Sequence, residues 1–123
     1  MARILLVEDD KDFRELYESI LKDSGYEVAT ASDGEEGLAK ASQGGFDLIL
    51  LDIMLPKRDG LSILSALKSK PPKIPNKSII VLSNLSHEKA LKEAMDLGAK
   101  GFLIKTNFTP DVLVAKVKSL ISS

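Results

Sequence analysis

Short apolar runs recur along this chain at Ile4–Val7, Leu48–Leu51, Ile79–Leu82 and Phe102–Ile104. A strand with one wet face alternates polar and apolar residues; near-continuous runs predict strands buried on both faces. Tyr26–Thr30 is a weaker strand candidate. Between the runs the apolar spacing becomes helical. Phe13, Leu16, Tyr17, Ile20 and Leu21 share one helix face, and Gly25 follows as a stop. The segment "SDGEEGLAKAS" opens with Ser32 and Glu35 at capping-box spacing, although Gly37 weakens the helix. "LSILSALKS" predicts a third helix, ended by Pro71 and Pro72, and "SHEKALKEAMDLG" a fourth, with Ser86 as cap and Gly98 as stop. "TPDVLVAKVKSLIS" is the last: Thr109 caps it, Pro110 takes the first helical position and Asp111 suits the helix dipole. Its apolar stripe, Val112 to Ile121, is wider than one core face needs, which fits a well-buried helix or a partner surface. The stretch Lys70–Lys77, "KPPKIPNK", predicts a Pro-rich surface connection. His87, the only histidine, falls at a helix start and reads as exposed and without a catalytic role.

Strand and helix thus alternate through the chain, with no repeat and no linker long enough to divide residues 1–123 into two domains. This alternation predicts an α/β fold: a doubly wound, five-stranded parallel sheet with helices on both faces and right-handed crossovers, order 2-1-3-4-5. Ligands of such sheets bind beyond the carboxyl ends of the strands, where the order switches. The first strand ends in Glu8-Asp9-Asp10 and the third in Asp52; the fourth ends at Ser83-Asn84 and the fifth at Lys105-Thr106.

Clustered carboxylates repel one another unless a cation joins them. Hard oxygen donors without His or Cys point to Mg²⁺ or Mn²⁺. Asp9 and Asp52 are the predicted holders, with Glu8 reaching the metal directly or through water. A metal beside a lysine and a hydroxyl suits a dianionic group such as phosphoryl, and a carboxylate there can be the nucleophile without a general base. Asp10 reads instead as a solvated helix cap.

Composition narrows the alternatives. With 17 basic and 18 acidic residues the formal charge is −1, so there is no general pull toward nucleic acid or an anionic membrane. The chain has no cysteine, which removes disulfides and thiolate chemistry. No apolar run reaches the roughly 18 residues of a membrane span, and the start lacks signal-peptide features. The cytoplasm is the expected location.

The motifs "VEDD" (7–10), "LLDIMLPKRDG" (50–60), "VLSN" (81–84) and "GFLIK" (101–105), in this order, resemble the receiver domain of bacterial two-component response regulators, chemotaxis regulators included, across essentially the whole chain. The resemblance implies a flavodoxin-like (βα)5 fold and a role for each matching residue. Asp52 would accept a phosphoryl group from a histidine kinase or phosphotransfer protein. Glu8 and Asp9 would form the acidic pair, with Asp9 the direct Mg²⁺ ligand and Met54 giving the metal its backbone carbonyl. Ser83 and Lys105 would bind phosphoryl oxygens. Phe102 would be the aromatic switch that follows Ser83, and the fourth helix, fifth strand and fifth helix would form the output face. The only reactions would be the chain's own phosphorylation and dephosphorylation. The expected state is a monomer or a phosphorylation-dependent dimer, acting through a downstream protein, with no DNA-binding or enzymatic domain after the fifth helix.

Two positions depart from the family pattern. Thr106 stands where receivers usually have proline, which favours a trans peptide and a differently shaped loop. Asn84 stands where a small residue is common, with an amide that could crowd or bond the phosphoryl pocket. Met54 and Leu85, two past the acceptor and the hydroxyl residue, are apolar; attacking water would be poorly held, so dephosphorylation should be slow. Other readings fit less well. A pseudo-receiver, a constitutive interaction module without phosphorylation, is kept alive by Thr106 and Asn84. A haloacid-dehalogenase-type phosphatase wants an Asp where Met54 stands. A flavodoxin-type cofactor binder wants a Gly/Ser/Thr-rich phosphate loop where "EDDKD" stands.

Overall fold

A computed structural model describes residues 1–84 and 88–122. The elements are β1 (Arg3–Val7), α1 (Lys11–Asp23), β2 (Glu27–Ala31), α2 (Gly34–Gln43), β3 (Leu48–Asp52), α3 (Gly60–Ser69), β4 (Ile79–Ser83), α4 (Glu88–Asp96), β5 (Gly101–Ile104) and α5 (Pro110–Ser122). All five strands pair in parallel, in the order β2-β1-β3-β4-β5.

The lack of alternation in the apolar runs has a direct cause. Successive strand residues point to opposite faces. Leu5, Val7, Ile49, Leu51 and Val81 enter the layer beneath α2, α3 and α4. Ile4, Leu6, Leu48, Leu50, Ile80 and Leu82 enter the layer beneath α1 and α5. Each face has its own core, so every position in β1, β3 and β4 but the first of β1 and of β4 is buried.

Helix entries sit at the carboxyl ends of the strands. Asp10 caps α1 and accepts a bond from Phe13 N–H at 3.0 Å. Asp59 caps α3, accepting from Ser62 N–H at 2.8 Å. Thr109 Oγ1 receives a longer bond, 3.4 Å, from Val112 N–H at the start of α5. The α2 cap is Asp33, not Ser32. Asp33 accepts from Glu36 N–H at 2.8 Å, while Glu36 reaches back to Ser32 N–H at 2.7 Å. The reciprocal capping contact exists, displaced by one residue. Gly25 and Gly98 follow α1 and α4 with φ of +98° and +109°, as helix stops require. The expected cap Ser86 and the helix-start residue His87 lie outside the described residues.

α5 is not a well-buried helix. Only Leu113 and Val117 are buried among its described residues, and Val112 is 52% exposed. It packs on β3 beside Tyr17 and Leu21 of α1, which fill part of the same layer, so one narrow stripe suffices.

Candidate phosphoryl and metal site

β1, β3, β4 and β5 deliver the predicted residues to one rim of the sheet. The register pairs Val7 with Leu51, Asp52 with Leu82 and Ser83 with Ile104, so Glu8, Asp52, Ser83 and Lys105 stand at neighbouring strand ends. Glu8 is fully buried, Asp52 and Ser83 nearly so; Asp9 is exposed. Carboxylate oxygens of Glu8, Asp9 and Asp52 lie within 4.8 Å of one another.

Lys105 ties this cluster together. Its Nζ donates to Asp52 Oδ2 at 3.1 Å and forms an ion pair with Glu8 Oε1. Glu8 Oε1 is fully buried and has Lys105 as its ion-pair partner. Glu8 Oε2 accepts from Asp10 N–H at 3.1 Å, and Asp52 Oδ1 accepts from Met54 N–H at 3.1 Å. Burial pushes the Glu8 carboxyl above its usual pKa, and Asp52 beside it adds to this; Lys105 offsets only part. Asp9 is also raised, by burial and then by its neighbour Glu8. Burial pulls the Lys105 ammonium down, but its two carboxylate partners outweigh this and leave it raised.

Three carboxylates sharing one ammonium leave negative charge uncompensated. The donor set is all oxygen, and the two buried carboxylates have a single ammonium between them. These residues fit a hard divalent cation such as Mg²⁺. Ser83 Oγ donates to the carbonyl of Asn84 at 3.1 Å, and Asn84 is exposed. Lys105 N–H bonds Ser83 O at 2.8 Å, and no peptide bond among the described residues is cis. Phe102 is 48% exposed on the edge strand β5, rather than in the core. Leu85 lies outside the described residues.

Several supporting residues carry no recognisable motif. Arg14 Nη1 donates to the carbonyls of Glu8 (2.9 Å) and Asp9 (3.3 Å), fixing the loop that bears the acidic pair. Phe13 lies under Lys105, its ring centroid 4.7 Å from Nζ, a cation–π contact. The loop after Asp52 is clamped to the start of α2. Gly34 N–H donates to Pro56 O at 3.1 Å, and Lys57 Nζ lies 3.4 Å from Asp33 Oδ2. A Cβ on Gly34 would sit 1.6 Å from Arg58 O, so only glycine allows that approach. Apolar periodicity identifies Phe13 as a core residue, but neither periodicity nor spacing marks a contact made across two loops.

At the switch point of this doubly wound sheet the carboxylates of Glu8, Asp9 and Asp52 cluster beside Lys105. The family model for the response regulator receiver domain matches residues 4–118. This chain belongs to that family. It is 40% identical over 116 residues to the transcriptional regulatory protein DltR of Streptococcus agalactiae, covering 94% of this chain and 50% of that protein. It is 38% identical over 119 residues to the alkaline phosphatase synthesis transcriptional regulatory protein PhoP of Bacillus subtilis, covering 97% of this chain and 48% of that protein. The chain spans about half the length of these curated relatives. Among solved structures, a CheY-like receiver domain protein from Methanospirillum hungatei superimposes with a TM-score of 0.86 at 30% identity, covering 99% and 94% of the two chains. The chemotaxis response regulator CheY4 of Vibrio cholerae gives 0.84 at 33% identity, covering 98% of each. No described helix is long and apolar enough to cross a membrane.

Proposed function

We propose that residues 1–123 form one receiver domain that takes a phosphoryl group from the phosphohistidine of a kinase or phosphotransfer protein onto Asp52. The observation that carries this reading is the contact of Lys105 Nζ with both buried carboxylates, Glu8 and Asp52. A lysine so placed neutralises the acceptor at rest and is in reach of a phosphoryl oxygen after transfer. A carboxylate oxygen of Asp52 attacks phosphorus; the P–O bond forms as the P–N bond to imidazole breaks, and imidazole leaves with the bonding pair. Glu8, Asp9, Asp52 and the backbone carbonyl of Met54 would hold Mg²⁺, which neutralises charge on the transferred group when bound. Ser83 would give its hydroxyl proton to a phosphoryl oxygen, exchanging its bond to Asn84 O for one in the pocket. Phe102, half exposed on β5, would move with it and alter the face formed by α4, β5 and α5, where a downstream protein binds.

The paired acceptor and lysine favour this reading over a constitutive interaction module. A formal charge of −1 favours protein rather than nucleic acid as the partner of this unit, and the cytoplasm as its location. The oligomeric state is a monomer, or a dimer formed on phosphorylation. The chemistry is confined to the domain's own phosphorylation and hydrolysis.

The test is intact mass after incubation with acetyl phosphate, with and without Mg²⁺, beside Asp52→Asn. A Mg²⁺-dependent gain of one phosphoryl group, lost in the variant, is the expected result. A gain that survives in the variant would assign the wrong aspartate. Once acetyl phosphate is removed, the phosphoryl group should decay slowly, because Met54, 57% exposed, offers attacking water no polar hold.

A further inference from the structure

The opposite end of the sheet, where the strands begin, carries a second surface. From Leu61 to His87 the sequence has no acidic residue and four lysines, Lys68, Lys70, Lys73 and Lys77. Lys77 pairs with Asp47 at 3.2 Å. Lys68, Lys70 and Lys73 are exposed and have no ion pair among the described residues.

The loop between α3 and β4 has no helix or strand, yet it is held at many points. Gly45 N–H donates to Ile74 O and Pro75 O at 3.1 and 3.3 Å. Asn76 Oδ1 accepts from Phe46 N–H at 3.1 Å, and its amide donates to Ala41 O at 3.0 Å. Lys77 N–H closes the loop on Phe46 O at 2.9 Å. Gly44, at φ +75°, lets the α2–β3 turn and this loop meet; a Cβ there would lie 1.7 Å from Ile74 O.

This fixed backbone holds Ile74 outward, 63% exposed, between two apolar clefts. One, of about 360 Å³, is lined by Leu64, Leu67, Pro71, Pro75, Ile79 and Leu97, with Lys68 and one carboxylate, Asp96, also lining it. The other, of about 590 Å³, lies beside Leu38, Pro72 and Ile74, with Lys70 and Lys73 along it. Two apolar clefts, three uncompensated cations and a preordered loop give directional anchors at little ordering cost.

We propose that this surface docks an acidic segment of a partner protein. An aliphatic or aromatic side chain fills the cleft beside Pro71 and Pro75, and neighbouring carboxylates meet Lys68, Lys70 and Lys73. A polypeptide suits the surface better than nucleic acid. Its two clefts are apolar and are lined by no arginine for bidentate phosphate contacts and no aromatic ring for base stacking. The surface lies at the other end of the sheet from Asp52, so the proposal stands apart from phosphoryl acceptance.

The test titrates the full ¹⁵N-labelled chain with an eight-residue peptide in which glutamate alternates with leucine and phenylalanine. Saturable amide shifts confined to residues 38–43, 64–79 and 96–98 are expected. The triple variant Lys68→Glu, Lys70→Glu, Lys73→Glu should weaken binding at least tenfold, and Ile74→Ser severalfold. Both should keep the parent's amide spectrum outside these residues, which shows that they are folded. Equal binding of an all-glutamate peptide would reduce the surface to ion exchange and overturn the proposal. So would unchanged binding by the triple variant, or tighter binding of a short DNA duplex at the same residues.

Discussion

At the carboxyl ends of the strands, Glu8 and Asp52 are buried and share one lysine; at the amino ends, Lys68, Lys70 and Lys73 stand in solvent without counter-charges. The two ends also differ in what holds them. The acidic rim is organised by charge, through Lys105, Arg14 and the Lys57–Asp33 pair. The basic end is organised mainly by backbone, through Gly44, Gly45 and Asn76, with the Lys77–Asp47 pair as its one structural charge contact beside them; Lys68, Lys70 and Lys73 hold no element in place. Desolvated charge must be compensated and is costly to disturb. Solvated charge is cheap and is free to meet a partner.

The largest effect should come from removing the half-buried ammonium that the two buried carboxylates share. Lys105→Met leaves Glu8 and Asp52 facing each other unpaired and should cost about 3 kcal/mol of unfolding free energy at neutral pH in EDTA. Urea denaturation measures it. Added Mg²⁺ should restore part of the loss, because a cation again sits among the carboxylates. A variant as stable as the parent would mean that the rim's charges are solvated like those of the opposite end. Next in size is a backbone change at the basic end. Gly44→Ala forces a Cβ toward Ile74 O at a positive φ and should cost about 2 kcal/mol, with no response to Mg²⁺. A Mg²⁺ response there would break the separation of the two ends.

The smallest effect concerns pH. Asp47 at the basic end lies below its usual pKa, held first by Arg3 N–H and then by Lys77. The unfolded chain therefore binds that proton more tightly, so the contribution is present above 3.8 and is lost as pH falls through the folded value. With solvent screening it amounts to less than about 1 kcal/mol. Comparing stability near pH 6 and pH 3 for the parent and Asp47→Asn isolates it; a parent that loses no more than the variant would refute it. Glu8 has the opposite sign: its raised pKa makes burial a cost above that value, and acid removes the cost.

The two ends were also unequally legible. The strands and their order follow from continuous apolar runs separated by helical spacing, and the acidic cluster follows from placing charged residues at strand ends. Both inferences use local pattern plus one topological rule. β2 begins at Glu27 rather than Tyr26, because an edge strand's bounds depend on its single neighbour. The α2 cap fell to Asp33 rather than Ser32 because both residue types cap well, and loop contacts with Pro56 and Lys57 decide between them. Arg14 and Phe13 support the site through side chains that bend back from α1, which spacing does not encode. The exposure of Ile74 was equally hidden. It depends on hydrogen bonds from the α2–β3 turn, thirty residues away in sequence.

The aromatic cluster beneath Lys105 has an optical consequence. Phe13 packs on Tyr17 with centroids 4.4 Å apart, Phe108 meets both rings edge-on, and Lys105 Nζ sits over Phe13. The chain has no tryptophan and two tyrosines, so the near-ultraviolet circular dichroism signal comes largely from Tyr17 and Tyr26. A shift of Lys105 toward an incoming anion changes the field on this stack. The protein thus carries a built-in chromophore, Tyr17, three contacts away from Asp52, readable without labels.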